Sequence, residues 1–164
     1  MEGDALEQLY GRYRRELLLY LLSLCGDRTR AEDLLQETFL KALLSLPEGH
    51  PNVRAWLYAV GRNLWISSLR QQKREAPEEA ATPSVYDDPA AGLIADERRR
   101  ALFRALARLE ERRREILELQ YFSGLSQREI AAILRMTPEN VRVLASRARK
   151  ELRRILEEDG YDLS

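Results

Sequence analysis

Six of the thirteen residues over 142–154, RVLASRARKELRR, are arginine or lysine, and one is acidic. Guanidinium groups donate in a planar fork that fits phosphate oxygens or the O6/N7 edge of guanine, while lysine acts as a point charge towards phosphate. Side chains of this kind on one helix suit a polyanion. The chain as a whole has 27 basic and 27 acidic residues and no formal net charge, so the charge must be distributed unevenly. Residues 1–45 hold 6 basic and 8 acidic groups, 46–74 hold 5 and 1, 75–97 hold none and 7, and 98–164 hold 16 and 11. Two positive blocks flank a strongly negative one, a pattern that fits a polyanion contacted twice.

The first positive block contains VRAWLYAVGRNLWISSLRQQKR, in which Arg54, Arg62, Arg70, Lys73 and Arg74 are interleaved with Trp56, Tyr58 and Trp65. Rings stack on unpaired bases and arginines take the phosphates, so this mixture suits single-stranded nucleic acid. The opposing reading is that the rings are core. That reading is preferred for Trp56, and for Trp65 both stay open. Enzymatic chemistry finds little support. His50 is the single histidine and lies in a loop without a nucleophile or metal-ligand spacing around it. Cys25 is the single cysteine, which leaves no internal disulfide and no cysteine-based zinc site. It reads as a small core residue at the end of an apolar helix. No metal, cofactor or small-molecule substrate is expected.

The elements that position these groups are helical throughout. At 164 residues with 45% apolar and 33% charged side chains, the chain has room for one ordinary domain or two small soluble ones. Leu6, Leu9, Tyr10, Tyr13, Leu17, Tyr20, Leu21 and Leu24 recur at three- and four-residue steps, an apolar stripe on one helix. TRAE over 29–32 reads as a capping box opening a second helix that buries Leu34, Leu35, Thr38, Phe39, Ala42, Leu43 and Leu46, and Pro47 ends it. Asn52 can cap a third helix with Val53, Trp56, Leu57, Val60, Leu64 and Leu69 inward. EAPEEAATPSVYDD, residues 75–88, has no apolar period and reads as a flexible acidic linker. Asp88–Pro89 reads as an N-cap and first helical position, with helices following to Leu109 and over about 112–122. No segment alternates with period two, so strands are not expected. The longest apolar run, residues 17–22, is far too short to span a bilayer, and the acidic start MEGDALEQLY has no signal-peptide core, which points to the cytosol.

Near the end, SQRE at 126–129 forms a second capping box before Ile130, Ala131, Ile133 and Leu134; a turn, RMT, follows; then Thr137–Pro138 opens a long helix with Val141, Leu144, Ala145, Ala148, Leu152 and Ile155 as its stripe. Short helix, tight turn and long basic helix is the helix-turn-helix plan, in which the second helix enters the major groove by its N-terminal part. Glu139, Asn140, Arg142, Val143, Ser146 and Arg147 then point at DNA, with Arg149, Lys150 and Arg153 along the backbone. Arg135 stands where such turns often carry glycine, and a left-handed non-glycine residue costs about 1 kcal/mol. A turn of another shape is therefore expected.

Taken together the two halves resemble one family. LYGRYRRELLLYLLSLCGDRTRAEDLLQETFLKAL, with its AED-x-x-QE-x-F core, and WLYAVGRNLWISSLRQQKR resemble region 2 of an extracytoplasmic-function (ECF) RNA polymerase sigma factor. LARLEERRREILELQYFSGLSQREIAAIL followed by NVRVLASRARKEL resembles region 4. The resemblance implies an all-α chain of two small helical domains: region 2 over 1–74, a linker over 75–88 and region 4 over 89–164. It implies that Glu32, Asp33, Gln36 and Glu37 meet the clamp helices of the largest polymerase subunit, and that region 4 grips the flap of the second-largest. It makes Arg54, Tyr58, Arg62, Asn63, Trp65 and Arg70 the candidates for the minus-10 element. Glu139, Asn140, Arg142, Val143, Ser146, Arg147, Arg149 and Lys150 become those for the minus-35 element. It also implies an anti-sigma partner, soluble or membrane-anchored, that masks these surfaces. The chain departs from the family in the loop PEGHPNVR, which is shorter than the common version and lacks its Phe-Arg pair, and at Ser67, Val143 and Leu144, where Asp, Ser and Arg are frequent. The resemblance therefore carries over no promoter sequence. Two other readings remain: a conventional regulator whose helix-turn-helix binds an operator by itself behind a helical sensor, and an interaction protein that mimics these helices.

Overall fold

The computed structural model describes residues 3–75 and 92–161. These fall into two compact units, one within Met1–Ala91 and one within Gly92–Ser164. Every regular element among the described residues is a helix.

The first unit consists of α1 (Gly3–Cys25), α2 (Arg28–Ser45) and α3 (Val53–Glu75). Both α2 and α3 pack on α1 and on each other. This explains why α1 is buried continuously from Leu17 to Leu22 rather than along a single stripe. Leu17, Leu21 and Leu57 are wholly enclosed, and Tyr20 stacks at a tilt on Tyr58 with ring centres 5.1 Å apart. Gly26, in the left-handed region at φ 69°, turns the chain out of α1. The next helix does not begin with the expected TRAE capping box. Asp27 is the N-cap, its Oδ1 accepting from the Thr29 N–H at 3.0 Å, and Glu32 pairs instead with Arg28 at 3.4 Å. A carboxylate directly after the glycine turn reaches the free amides first, and Thr29 is already inside the helix. Asn52 caps α3 as expected, its Oδ1 accepting from Ala55 N–H at 3.1 Å. The helices approach closely at Gly61, where an added Cβ would lie 3.3 Å from Thr38 Oγ1 and 3.4 Å from Leu21 Cδ2. Thr38 Oγ1 cannot swing away cheaply, because it donates to Leu34 O at 2.7 Å inside the core.

The second unit contains α4 (Glu97–Leu106), α5 (Glu111–Tyr121), α6 (Gln127–Leu134) and α7 (Pro138–Glu158). Helix α7 packs on α4, α5 and α6. Its stripe Val141, Ala145, Ala148, Leu152 and Ile155 is buried, and Leu144 is half-buried rather than core. Ala148, Leu152 and Ile155 meet Ala105, Leu106, Leu109 and Leu117 in one apolar cluster. Asp96 caps α4 and Glu110 caps α5. The expected helix start at Asp88–Pro89, and the expected linker over 75–88 apart from Glu75 at the end of α3, lie outside the described residues.

The crossing at Gly61 generates a prediction. Gly61→Val places branched carbons against Thr38 and Leu21 and should destabilise the first unit by about 1–3 kcal/mol through overpacking. Gly61→Ala should cost less, since its gain in helix propensity of about 1 kcal/mol opposes the closer contact. Both tryptophans, Trp56 and Trp65, belong to this unit, so denaturant unfolding followed by tryptophan fluorescence reads the change directly.

Candidate nucleic-acid interface

Helix α6, a turn and α7 form the helix-turn-helix predicted from the sequence. Ser126 Oγ accepts from Glu129 N–H at 3.2 Å while Glu129 Oε1 accepts from Ser126 N–H at 2.9 Å, a complete capping box. Thr137 Oγ1 accepts from Asn140 N–H at 3.1 Å with Pro138 in the first turn. Between them the turn keeps the left-handed shape that a glycine would favour. Arg135 adopts φ 55° and ψ 49°, contrary to the expectation of another geometry. The backbone is held there from both sides. The Arg135 N–H reaches Ala131 O, Met136 N–H reaches the same oxygen at 2.9 Å, and Arg112 Nη1 donates to Leu134 O at 3.4 Å.

This turn sets the rotation of α7. With its apolar stripe inward, Glu139, Val143, Ser146 and Lys150 line up along the opposite side at alternating steps of four and three residues, with Arg142 and Arg149 on one flank and Asn140 and Arg147 on the other. Glu139, Asn140, Arg142, Arg147, Arg149 and Lys150 are exposed, and Val143 and Ser146 are half-buried. Arg142 pairs with Glu139 one turn earlier, and the pairing holds the Glu139 carboxyl below and the Arg142 guanidinium above their usual ranges. Arg153 and Arg154 pair with Glu157 and Glu158. Arg147, Arg149 and Lys150 have no ion pair among the described residues and are the open positive charges of the helix.

In the first unit the candidates divide. Asn63 and Arg70 are exposed on α3, and Arg62 is half-buried. Arg54 is drawn inward: its Nε donates to Glu16 Oε1 at 2.9 Å and its guanidinium lies 5.3 Å from the Tyr13 ring centre. Burial is the dominant influence on Glu16 and pushes its carboxyl up in spite of Arg54 and the neighbouring Tyr58 hydroxyl. Two assignments need correction. Tyr58 is completely buried and presents no ring face to a base. Trp65 is 8% exposed, and the Arg30 guanidinium covers its ring at 4.9 Å while donating to Ser68 Oγ and Gln72 Oε1, each at 3.1 Å. Both aromatics are core because α1 and α2 close over the face of α3 that carries them. Trp56 is half-buried rather than enclosed.

Glu32, Asp33, Gln36 and Glu37 form one exposed face of α2. Leu40 and Leu44 continue that face, 55% and 74% exposed. They were not among the expected contact residues, although their position off the buried stripe of Leu35, Phe39 and Ala42 was a readable signal. In the second unit Leu102, Tyr121, Leu152 and Leu156 line an apolar groove of about 290 Å³ whose rim carries Arg149 and Arg153.

Comparison with known proteins agrees with this division. Residues 9–75 match the Sigma-70 region 2 family and residues 99–152 match Sigma-70 region 4. RNA polymerase sigma factor YlaC of Bacillus subtilis is 33% identical over 92% of this chain and 91% of its own length. The ECF RNA polymerase sigma factor EcfG of Rhodopseudomonas palustris is 33% identical over 89% and 82%. The chain belongs to the ECF RNA polymerase sigma factors. It is accordingly a promoter-recognition factor for transcription initiation. Among solved structures, the sigma factor RpoE in complex with the anti-sigma factor NepR from Bartonella quintana superposes with TM-score 0.70 at 28% identity, covering 92% of this chain and 96% of that one. CnrH in complex with the cytosolic domain of CnrY gives TM-score 0.67 at 28% identity, covering 97% and 92%. The left-handed turn before α7 is testable. Arg135→Gly should remove the left-handed penalty and stabilise the second unit by about 1 kcal/mol, seen as a later transition in thermal unfolding followed by far-ultraviolet circular dichroism.

Proposed function

We propose that this ECF sigma factor binds the RNA polymerase core through both units and directs it to promoters with bipartite minus-10 and minus-35 elements. Region 2 occupies residues 1–74 and region 4 residues 89–164. The observation that carries the reading is the two-sidedness of α7, apolar where it meets its own unit and lined outward by Arg147, Arg149 and Lys150 without ion pairs among the described residues. Arg142, Asn140 and Val143 in the first turns reach base edges of the minus-35 element with Glu139, Ser146 and Arg147, while Arg149 and Lys150 hold phosphates. Asn63, Arg70 and Arg62 on α3 meet the minus-10 element, Tyr58 and Trp65 support that surface from within, and Arg54, half-buried and paired with Glu16, borders it.

Docking uses different chemistry. Glu32, Asp33, Gln36 and Glu37 with Leu40 and Leu44 offer a polar, acidic face around exposed leucines, which suits the clamp helices of the largest subunit. The apolar groove at Tyr121 and Leu156 suits the flap of the second-largest. The same surfaces are available to an anti-sigma factor, soluble or membrane-anchored; the complexes of the RpoE and CnrH relatives support such a partner. No helix among the described residues is long and apolar enough to cross a membrane, and no cluster there could hold a metal. With its role exercised on polymerase and DNA, the protein works in the cytoplasm, without cofactor or catalysis of its own.

Run-off transcription with core polymerase, with and without the protein, tests the reading. Promoter-specific transcripts should require the protein. Tight operator binding at physiological salt without polymerase, and no transcripts with it, would instead mark a self-sufficient regulator. Within an active holoenzyme, Gln36→Ala/Glu37→Ala should weaken binding to core in a titration while the circular dichroism spectrum is unchanged, because both side chains are exposed. Arg142→Ala should cost about 1–3 kcal/mol and relax preference at one minus-35 position. Lys150→Ala should weaken all promoters alike and lower the salt slope by about one ion. A panel of minus-35 variants transcribed at several salt concentrations separates the two.

A further inference from the structure

Glu139 is an acidic residue at the tip of a helix that otherwise offers cations to DNA. Its place in the first turn suits the positive end of the helix dipole, but that role requires neither its pairing nor its orientation. The N-cap is already supplied by Thr137, the first turn is opened by Pro138, and the carboxylate bonds to no backbone amide of that turn. Its bonding is to Arg142, with Arg142 Nε to Glu139 Oε2 at 3.4 Å and Arg142 Nη2 to Oε1. The two side chains are 68% and 57% exposed, where an ion pair contributes little to stability. Held by Arg142, the carboxylate remains ionised and keeps lone pairs that Arg142 does not use.

In the major groove such a group meets strict chemistry. Guanine O6 and N7, thymine O4 and every phosphate oxygen are acceptors and repel it. Cytosine N4 and adenine N6 are the donors it can accept from. Arg142 keeps its Nη1 protons and one Nη2 proton, enough for a bidentate contact with guanine O6 and N7. Residues three apart on a helix rise about 4.5 Å, close to the roughly 3.4 Å between successive base pairs, so the pair can span neighbouring positions.

We infer that Glu139 is a specificity-determining residue which, paired with Arg142, selects a cytosine or adenine amino group next to the guanine read by Arg142 in the minus-35 element. The inference rests on the promoter-binding reading of α7 and adds the class of base each side chain takes. The ion pair orients both groups before DNA arrives. The carboxylate also penalises wrong sequences, because a guanine or thymine at that position places acceptor against acceptor.

The test uses the full chain in holoenzyme with core polymerase and a promoter library in which each minus-35 position is permuted. Glu139→Gln keeps the size of the side chain, removes the charge and adds an amide donor that can face guanine O6 or thymine O4. Its amide can still pair with adenine N6 and N7, so the variant should lose about tenfold of a preference for cytosine at one position but keep one for adenine; that position lies next to the one relaxed by Arg142→Ala, and the variant should bind non-promoter DNA more tightly. Glu139→Ala should lose the preference for either base, which separates the carboxylate contact from any made by glutamine. Unchanged discrimination at every position in both variants, or a uniform loss across the library, would overturn the inference and leave Glu139 as a partner of Arg142 alone. If neither the wild-type chain nor the variants initiate from any member of the library, the promoter reading itself fails and this inference with it.

Discussion

Pairing between arginine and carboxylate within each unit decides which positive charges remain for DNA. The chain has as many acidic as basic groups, so a cation meets phosphate without competition only where its own unit gives it no carboxylate. Arg54 is taken up by Glu16, Arg113 by Glu151 at 2.6 Å, and Arg108 by Glu158 and Asp159. These pairs brace elements against one another: α3 against α1, α5 against α7, and the turn after α4 against the end of α7. Arg147, Arg149 and Lys150 are left open in the middle of α7. Further along, Arg153 and Arg154 pair with glutamates one turn on, at an exposure where such pairs are weak. Exchanging those partners for phosphate would therefore meet little resistance.

The same principle separates the two outward surfaces of the first unit. On α3 Arg70, Lys73 and Arg74 are exposed while Tyr58 and Trp65 turn in, and Arg30 from α2 closes over Trp65. On α2 the exposed face carries Glu32, Asp33 and Glu37 with Leu40 and Leu44 beyond them. An acidic face with apolar anchors and a basic face with a polar amide therefore belong to adjacent helices of one small bundle. By charge alone the first repels a polyanion and the second attracts one. Burial of α1 along Leu17–Leu22 makes this possible, because a helix enclosed by both neighbours fixes their outward faces without contributing one of its own there.

Much of this was legible in the residues themselves. Apolar periodicity marked each long helix. Ser126 with Glu129, Thr137 with Pro138, and Asn52 marked three helix starts, since each cap is a local contact between residues at most three apart. The groups on the outward side of α7 follow from the same periodicity, because a helix with one apolar stripe has one way to bury it. The family resemblance rested on motifs of that local kind and assigned Glu32, Asp33, Gln36 and Glu37 to a face that is indeed exposed.

Tertiary structure decided the rest. Tyr58 and Trp65 stand among arginines at spacings that fit a stacking platform as well as a core, and only the closure of α1 and α2 over that side of α3 made them interior. Arg54 reads as a phosphate ligand until Glu16, thirty-eight residues away, draws it inward. The TRAE motif pointed to Thr29 as the cap, and Asp27 takes that place because Gly26 turns the chain just before it. Arg135 takes a left-handed conformation that its own chemistry disfavours, held by Ala131 and by Arg112 from another helix. A sequence fixes the preferences of each segment at short range, where periodicity and capping act. Which of two permitted faces is covered, and which strained turn is tolerated, depends on contacts between segments far apart in the chain.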